Sequence, residues 1–199
     1  VSFYPNKHIT TGEGGMVLTN NKNIYRAAKS LRNLSFGIKK RFEHRRLGWN
    51  YRMTNMQAAL GLAQLENIEK IIKIKKSIGN LYHQYLNELD CFNLPINKTS
   101  YAENIYWVFG IVIKDKIKIN AIDFINALKN KGIGTRPFFY PMHRQPVFKK
   151  MGLFKNEKYR IADKLYKKGF YIPSGLGIKK NQIKTVTKAI KEILYEKNI

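Results

Sequence analysis

The chain has 199 residues, which is enough to bury a hydrophobic core and to form one domain or two small ones. It carries 37 lysines and arginines against 13 acidic residues, and the formal charge of +24 raises nucleic acid as a partner. The basic residues lie on nearly every predicted helix and Lys, Ile and Asn are abundant together, so a compositional bias explains the charge better, although a positive surface favours an anionic substrate.

Cysteine content and apolar runs narrow the class of protein further. The single cysteine, Cys91, excludes an intrachain disulfide and fits a reducing compartment such as the cytoplasm. The longest apolar run, 105–113, is too short to cross a bilayer, and no secretory signal is evident. The four histidines are widely spaced and are not joined by cysteine pairs, so the sequence offers no metal site.

The first third of the chain begins with a short extended segment and a glycine-rich turn, followed by a predicted strand at 16–19. Apolar residues then recur at helical spacing from Ile24 to Leu31. The stretch 36–52 has no clean period and is predicted to be a loop. Its six basic residues form either a solvated face or the lining of an anion site. They are Lys39, Lys40, Arg41, Arg45, Arg46 and Arg52.

A long helix is predicted to begin at Thr54. Thr54 and Gln57 have the spacing of a capping box, and an apolar stripe follows them. Because glycine weakens a helix, Gly79 is expected to bend or break this one before a second helical stretch continues.

The rest of the chain alternates strands with helices. Strands are predicted at 91–95, 105–113, 133–139 and 170–172. Asn120 and Asp123 can cap a helix that Gly132 stops, and further helices are predicted at 159–168 and 183–194. Strands interleaved with helices indicate an α/β class.

Lys7 is the main candidate for chemistry. It lies between a short apolar run and a turn with three glycines, which hold it on a scaffold while its amine stays available to a carbonyl, as Schiff-base chemistry requires. Ser2 lies five residues earlier, close enough to bond an anionic group on a cofactor whose aldehyde the lysine holds. The residues alone leave open a plain hairpin with an exposed lysine, in which 1–4 pair with 16–19.

Three blocks carry a resemblance to a known family. They are SFYPNKHITTGEGGMVLTN at 2–20, GWNYRMTNMQAALG at 48–61, and TRPFFYPMH at 135–143 with QPVF soon after. The first two resemble the DegT/DnrJ/EryC1/StrS family of sugar aminotransferases, which use pyridoxal phosphate (PLP). The third is similar to the substrate-facing segment of the branch of that family that makes GDP-perosamine. The resemblance covers essentially the whole chain, but only the second part of a family member.

The resemblance implies the PLP-dependent fold type I of aspartate aminotransferase. Residues 1–77 are then the end of the large PLP-binding domain with its linking helix, and residues 78–199 are the small C-terminal α/β domain. It also implies that Lys7 bonds covalently to the PLP aldehyde and moves a proton during amine transfer. Related sugar 3-dehydratases have histidine at this position, so Lys7 favours amine transfer over dehydration.

The resemblance also implies binding roles for five further residues. Ser2 is expected to bond the PLP phosphate, and Asn50 to do so from a neighbouring subunit, which makes the active unit a homodimer with shared sites. Arg136 is expected to pair with a diphosphate, and Tyr140 or His143 to bond a sugar hydroxyl or keto oxygen. A strand end stiffened by two prolines explains the last three residues equally well.

The reaction implied is transfer of an amino group from glutamate to C4 of a nucleotide-linked 4-keto-6-deoxy sugar, for surface polysaccharide such as O-antigen. The third block favours GDP-4-keto-6-deoxymannose, and a dTDP- or UDP-linked keto sugar is the near alternative. The family draws the acid that faces the pyridine nitrogen from the segment before Lys7, so the N-terminal half is needed and this chain alone is expected to have little activity. A non-catalytic fragment or pseudoenzyme and a basic nucleic-acid module are the alternatives from other classes.

Overall fold

The computed structural model describes residues 1–37, 40–44 and 46–197, and these belong to two units, Val1–Ile71 and Ile72–Ile199. Both contain helices and the second contains a sheet, in agreement with the predicted α/β class. No helix in the described ranges is long and apolar enough to span a bilayer.

The first unit contains helices α1, Lys22–Arg32, and α2, Asn55–Leu65. The capping box predicted for α2 is confirmed, because the backbone N–H of Gln57 donates to Thr54 Oγ1 (3.2 Å) and that of Thr54 donates to Gln57 Oε1 (2.9 Å). The strand predicted at 16–19 is wrong. Antiparallel pairing begins at the bridge between Ser2 and Gly15 and reaches only Met16, so residues 17–19 lie beyond it.

Helix α3, Ile68–Leu86, contains the boundary between the units. The helical stretch that starts after Thr54 breaks at Glu66 and Asn67, and the prediction of a break at Gly79 is wrong. Gly79 lies inside α3, at a point where the helix backbone faces the ring of Tyr106. A Cβ at Gly79 would lie only 2.5–2.6 Å from three atoms of that ring. The glycine serves packing rather than bending.

The second unit is built on a four-stranded antiparallel sheet of order β1-β2-β4-β3. Its strands are β1 Phe92–Asn93, β2 Phe109–Ile113, β3 Arg136–Pro137 and β4 Gly169–Ile172. All four overlap predicted strands, and the first three are shorter than predicted. Strand β2 was predicted to begin at residue 105. Its extended backbone cannot begin there, because Tyr106 has a φ of +50°, in the left-handed region.

Four helices complete the second unit with α3: α4 Ala121–Asn130, α5 Pro146–Lys150, α6 Arg160–Lys168 and α7 Lys180–Glu196. A 3₁₀ turn, Met142–Arg144, precedes α5. The predicted cap of α4 is confirmed, since the backbone N–H of Asp123 donates to Asn120 Oδ1 (2.9 Å). Gly132, with a φ of +76°, follows its C-terminus.

Buried side chains from the helices and the sheet form the core of the second unit. The largest fully buried ones are Tyr82, Phe109, Phe124 and Phe170. The apolar face predicted for the last helix is also confirmed, since α7 buries Ile183, Val186, Ile190 and Leu194. Strand β3 of the sheet lies within the segment 135–143, which carries the third block of the sequence.

Candidate functional site

Lys7 lies on a half-buried turn whose preceding end is fixed by Phe3. Phe3 is buried, and its N–H donates to Gly14 O (3.0 Å). Its carbonyl oxygen accepts from the N–H of Thr11 (3.0 Å) and from Oγ1 of Thr10 (2.9 Å). These bonds join the residues before the lysine to the glycine-rich segment after it, so the turn has a defined shape without regular secondary structure.

Gln64 of α2 fixes the other end of the turn. Its Oε1 accepts from the N–H of Thr10 (3.0 Å), and its Nε2 donates to Thr10 O (2.7 Å). Gly61, one turn earlier in α2, allows close approach, because a Cβ there would lie 2.8 Å from Cγ2 of the buried Thr11. The first two sequence blocks are therefore in direct contact. Sequence reasoning missed Gln64, which lies just beyond the second block and 54 residues from its partner.

Ser2 and Asn50, the proposed phosphate ligands, are both exposed residues of the first unit. Ser2 Oγ accepts from the N–H of Tyr4 (3.4 Å). Asn50 forms a backbone bridge with Asn33, and its Oδ1 accepts from Arg52 Nε (2.9 Å). That bond uses the amide oxygen of Asn50, so its NH2 group is the part of the side chain that can donate to an anion.

The predicted loop 36–52 contains neither helix nor named strand in its described part. Two of its six basic residues, Lys39 and Arg45, lie outside the described residues. The Cζ atom of Arg41 lies 5.4 Å from the ring centroid of Phe36 and 5.7 Å from that of Phe42, so this cation makes local contacts with aromatic rings.

The three proposed substrate residues lie on one segment of the second unit. Arg136 is exposed on β3, opposite Tyr171 of β4. The ring of Tyr140 stands edge-on to that of Tyr166, with centroids 5.0 Å apart and an interplanar angle of 86°. His143 lies in the 3₁₀ turn with its Nε2 3.0 Å from Asp163 Oδ1.

The carboxylate of Asp163, on α6, lies beside His143 and Arg144, and sequence reasoning missed this residue. Arg144 Nε lies 2.6 Å from Asp163 Oδ1, and Arg144 Nη2 donates to Oδ2 (2.9 Å). Partial burial tends to raise the pKa of the Asp163 carboxyl, but the Arg144 guanidinium and the His143 ring beside it hold that pKa below its usual range. The carboxylate thus stays charged between two neighbouring basic residues.

Lys75 is a second lysine in an unusual environment, and it lies in the second unit. Its side chain is inside the protein, with 6% of the residue exposed, and burial lowers its pKa to about 8. Its Nζ donates to Trp107 O (3.0 Å) and Ser174 O (2.5 Å). An amine fixed on two backbone carbonyls and shielded from solvent has a structural role, so the lowered pKa of Lys75 does not make it a candidate nucleophile.

Cysteine and metal chemistry have little support in the described part of the chain. Cys91 is buried, and burial raises the pKa of its thiol. Across residues 1–37, 40–44 and 46–197, no three His, Cys, Asp or Glu side chains are grouped so that they could hold a metal ion.

Comparison with known proteins identifies the family. The model of the DegT/DnrJ/EryC1/StrS aminotransferase family matches residues 1–191. The GDP-perosamine synthase of Vibrio cholerae is 34% identical over 191 residues, which cover 96% of this chain and 51% of that protein. The chain therefore spans about half the length of the curated relatives that it matches.

Solved structures share the fold. Helicobacter pylori PseC, an aminotransferase involved in the biosynthesis of pseudoaminic acid, has a TM-score of 0.84 at 20% identity over 96% of this chain and 51% of its own. An E. coli GDP-4-keto-6-deoxy-D-mannose-3-dehydratase with bound hydrated PLP has a TM-score of 0.77 at 18% identity, over 94% and 52%. The predicted fold is confirmed by this likeness, and the chain belongs to the DegT/DnrJ/EryC1/StrS aminotransferase family.

Proposed function

We propose that the chain is the lysine-bearing part of a PLP-dependent aminotransferase that moves an amino group from glutamate to C4 of a nucleotide-linked 4-keto-6-deoxy sugar. The observation that carries this proposal is the identity of residue 7 and the way its turn is held. A lysine lies there, on a turn tied at both ends by hydrogen bonds, inside a chain that the family model matches from residue 1 to residue 191. The family's related dehydratases have a histidine at this position.

The residues around Lys7 fit PLP. A Cβ at Gly12 would meet no heavy atom within 4 Å, so the space beside Gly12 is open to a bound group. The Ser2 hydroxyl, joined by the Asn50 amide of a neighbouring subunit, would supply the neutral donors that a phosphate dianion accepts well. Lys7 would hold the aldehyde carbon. When bound, PLP supplies the electron sink that stabilises negative charge on the carbon that gains or loses the amine.

Lys7 also moves the protons of the reaction. Once the amino donor has released it from the aldehyde, its Nζ would take the proton from the α-carbon of glutamate in the first half of the reaction, and it would deliver a proton to C4 of the sugar in the second. Both transfers need the amine at a fixed position relative to the reacting carbon. The bonds of Phe3 to Gly14 and of Thr10 to Gln64 hold the two ends of the turn and so limit the region that the amine can reach.

The exposed apolar surface of the first unit supports a requirement for more protein. No residue of α1 or α2, both fully described, is buried. Val17 and Leu18 are each 73% exposed and Met56 is 82% exposed. Exposed apolar side chains in this number mark surfaces that another part of a protein covers. We assign the covering to the part of the family's chain that precedes Lys7, which also supplies the acid facing the pyridine nitrogen, and to a second subunit.

The proposed substrate is GDP-4-keto-6-deoxymannose. The block TRPFFYPMH and the 34% identity to a GDP-perosamine synthase support it. The exposed guanidinium of Arg136 is suited to a diphosphate, and the positive charge of the chain favours an anionic substrate. The product would be GDP-perosamine.

The proposal is tested with the chain fused to the preceding half of the Vibrio cholerae relative. After PLP is added, the fusion is reduced with borohydride and the modified lysine is identified by mass spectrometry. Glutamate-dependent amination is then measured with GDP-, dTDP- and UDP-linked 4-keto-6-deoxy sugars, both for the fusion and for its Lys7→Ala variant, and Lys22→Ala is the control for loss of a lysine elsewhere in the first unit. We expect a pyridoxyl adduct on Lys7 and fastest amination of the GDP-sugar. A folded fusion without that adduct refutes the assignment of Lys7, and preference for another nucleotide refutes the substrate.

A further inference from the structure

We propose that one continuous segment, α6 with β4, positions the three substrate residues, and that Asp163 and Tyr166 are the positioning residues of α6. The inference rests on the proposed function, since it concerns the same substrate site. It adds two side chains that carry no role in the sequence interpretation and that need not contact the substrate themselves.

The spacing of the contacts is the first argument. Asp163 and Tyr166 lie three residues apart on α6 and therefore on one face of that helix. Their partners, His143 and Tyr140, are also three residues apart. Asp163 Oδ1 lies 3.0 Å from His143 Nε2, and the Tyr166 ring supports the edge of Tyr140 at 5.0 Å. A single rigid helix thus sets the separation between two side chains that would otherwise depend on an irregular segment.

The electrostatics of Asp163 are the second argument. Its carboxylate is shared between His143 and Arg144, and its side chain is only 22% exposed. The hydrogen bond to Arg144 Nη2 fixes the turn through Oδ2, while Oδ1 attracts the ring of His143. The His143 ring, 10% exposed in its side chain, also packs on Tyr159 with centroids 5.0 Å apart. The contacts with Asp163 and Tyr159 together restrict the orientation of the His143 ring.

The strand that follows α6 is the third argument. The N–H of Phe138 donates to Gly169 O (3.1 Å), and the ring of Phe138 packs on Tyr171 with centroids 4.8 Å apart. A Cβ at Gly169 would lie 2.3 Å from Cδ2 of that ring, so the glycine makes the room that Phe138 occupies. The pairing of Arg136 with Tyr171 completes the set. All three substrate residues are therefore fixed, directly or through a neighbour, by residues 160–172.

Removing the Asp163 carboxylate should loosen the substrate residues without changing the cofactor chemistry. In the fusion described above, we expect Asp163→Asn to raise KM for the nucleotide sugar about 10- to 100-fold, because small misplacements of binding groups have effects of this order. The half-reaction with glutamate should keep its rate. A purely structural role would instead lower the melting temperature and reduce both half-reactions together. Tyr166→Leu should act like Asp163→Asn, and Tyr166→Phe, which keeps the ring, should restore the sugar KM.

The matched control is Asp115→Asn. Asp115 is exposed, follows β2, and pairs with Lys164, the α6 residue next to Asp163. The control therefore removes a carboxylate that pairs with the same helix, without touching the substrate segment. It should leave both half-reactions unchanged. If Asp115→Asn raises the sugar KM as much as Asp163→Asn does, general electrostatics explain the effect and the positioning role is refuted.

A measurement that needs no activity separates this inference from the proposed function. In the chain itself, the ¹⁵N NMR signal of the Arg144 Nη2–H group, which donates to Asp163 Oδ2, should be protected from solvent exchange, and Asp163→Asn should speed its exchange at least about tenfold, as loss of an ion-paired hydrogen bond would. The signals of the His143 ring should broaden or shift in the same variant. If both sets of signals are unchanged in a folded variant, Asp163 is not a positioning residue, whatever the fusion catalyses. If the signals change but no amination occurs, the proposed function fails and the positioning contact stands.

Discussion

Replacing Gly79 with alanine should destabilise the second unit, although alanine is the better helix former. In the interior of α3, alanine would favour the helix by about 1 kcal/mol relative to glycine. The new methyl group would lie 2.5–2.6 Å from Cγ, Cδ2 and Cε2 of Tyr106, and overpacking of this kind costs about 1–3 kcal/mol. The ring cannot retreat easily, because it stacks on Phe109 at 6.0 Å and its hydroxyl donates to Asn97 Oδ1 (2.5 Å). Contacts this short place the overpacking cost in the upper half of its range, about 2–3 kcal/mol, and subtracting the helical gain of about 1 kcal/mol leaves a loss in the free energy of unfolding of about 1–2 kcal/mol for Gly79→Ala.

Urea unfolding of the second unit can be followed by the fluorescence of Trp107, next to Tyr106, in a Trp49→Phe background that removes the tryptophan of the first unit. Gly134→Ala is the matched control, because a Cβ there would meet no heavy atom within 4 Å. The control should be neutral or slightly stabilising. A Gly79→Ala chain as stable as the wild type would show that Tyr106 yields at little cost, and the packing explanation for this glycine would be wrong.

Three other features give measurable predictions. The pKa of Lys75 is about 8 in the folded chain and ~10.4 in the unfolded one, so the unfolded state binds more protons between these pH values. The free energy of unfolding, measured relative to Lys75→Met, should therefore rise by about 2 kcal/mol from pH 7.5 to pH 9.5. If the difference between the two proteins does not change with pH, the assigned pKa is refuted. Gln64→Ala should speed hydrogen exchange of the Thr10 amide about 5- to 30-fold, the effect of losing about 1–2 kcal/mol, and unchanged exchange would mean that Gln64 does not hold the turn. Cys91 should react with a thiol reagent only at the rate of unfolding, and fast labelling of the native chain would contradict its burial.

Local signals in the sequence predicted the helix ends well. Thr54 with Gln57 and Asn120 with Asp123 cap helices as expected, because a cap depends on residues three apart in the chain. The apolar face of α7 followed from its periodicity for the same reason. These features need no knowledge of distant residues.

Features that depend on distant contacts could not be predicted in this way. Glycine alone indicated a break at Gly79, and only the ring of Tyr106, 27 positions later in the numbering, explains why the helix continues. The start of β2 was placed too early because nothing local to Tyr106 requires its left-handed backbone. In the candidate site, Lys7, Arg136, Tyr140 and His143 were named from motifs. Their roles remain predictions, and three of the side chains that hold them, Gln64, Asp163 and Tyr166, lie outside every motif.

The supports of the two functional segments share one physical device. A helix or strand position that lacks a Cβ lets a side chain from the functional segment approach the backbone. At Gly61 the space admits Thr11 of the lysine turn, and at Gly169 it admits Phe138 of the substrate segment. A polar side chain nearby then fixes the segment. Gln64, on the same helix as Gly61, bonds Thr10, and Asp163, on the helix that leads directly into the strand of Gly169, lies between His143 and Arg144. Close contact at the glycine limits translation of the segment and the directional polar contact limits its rotation, so neither alone would define where Lys7 or His143 lies.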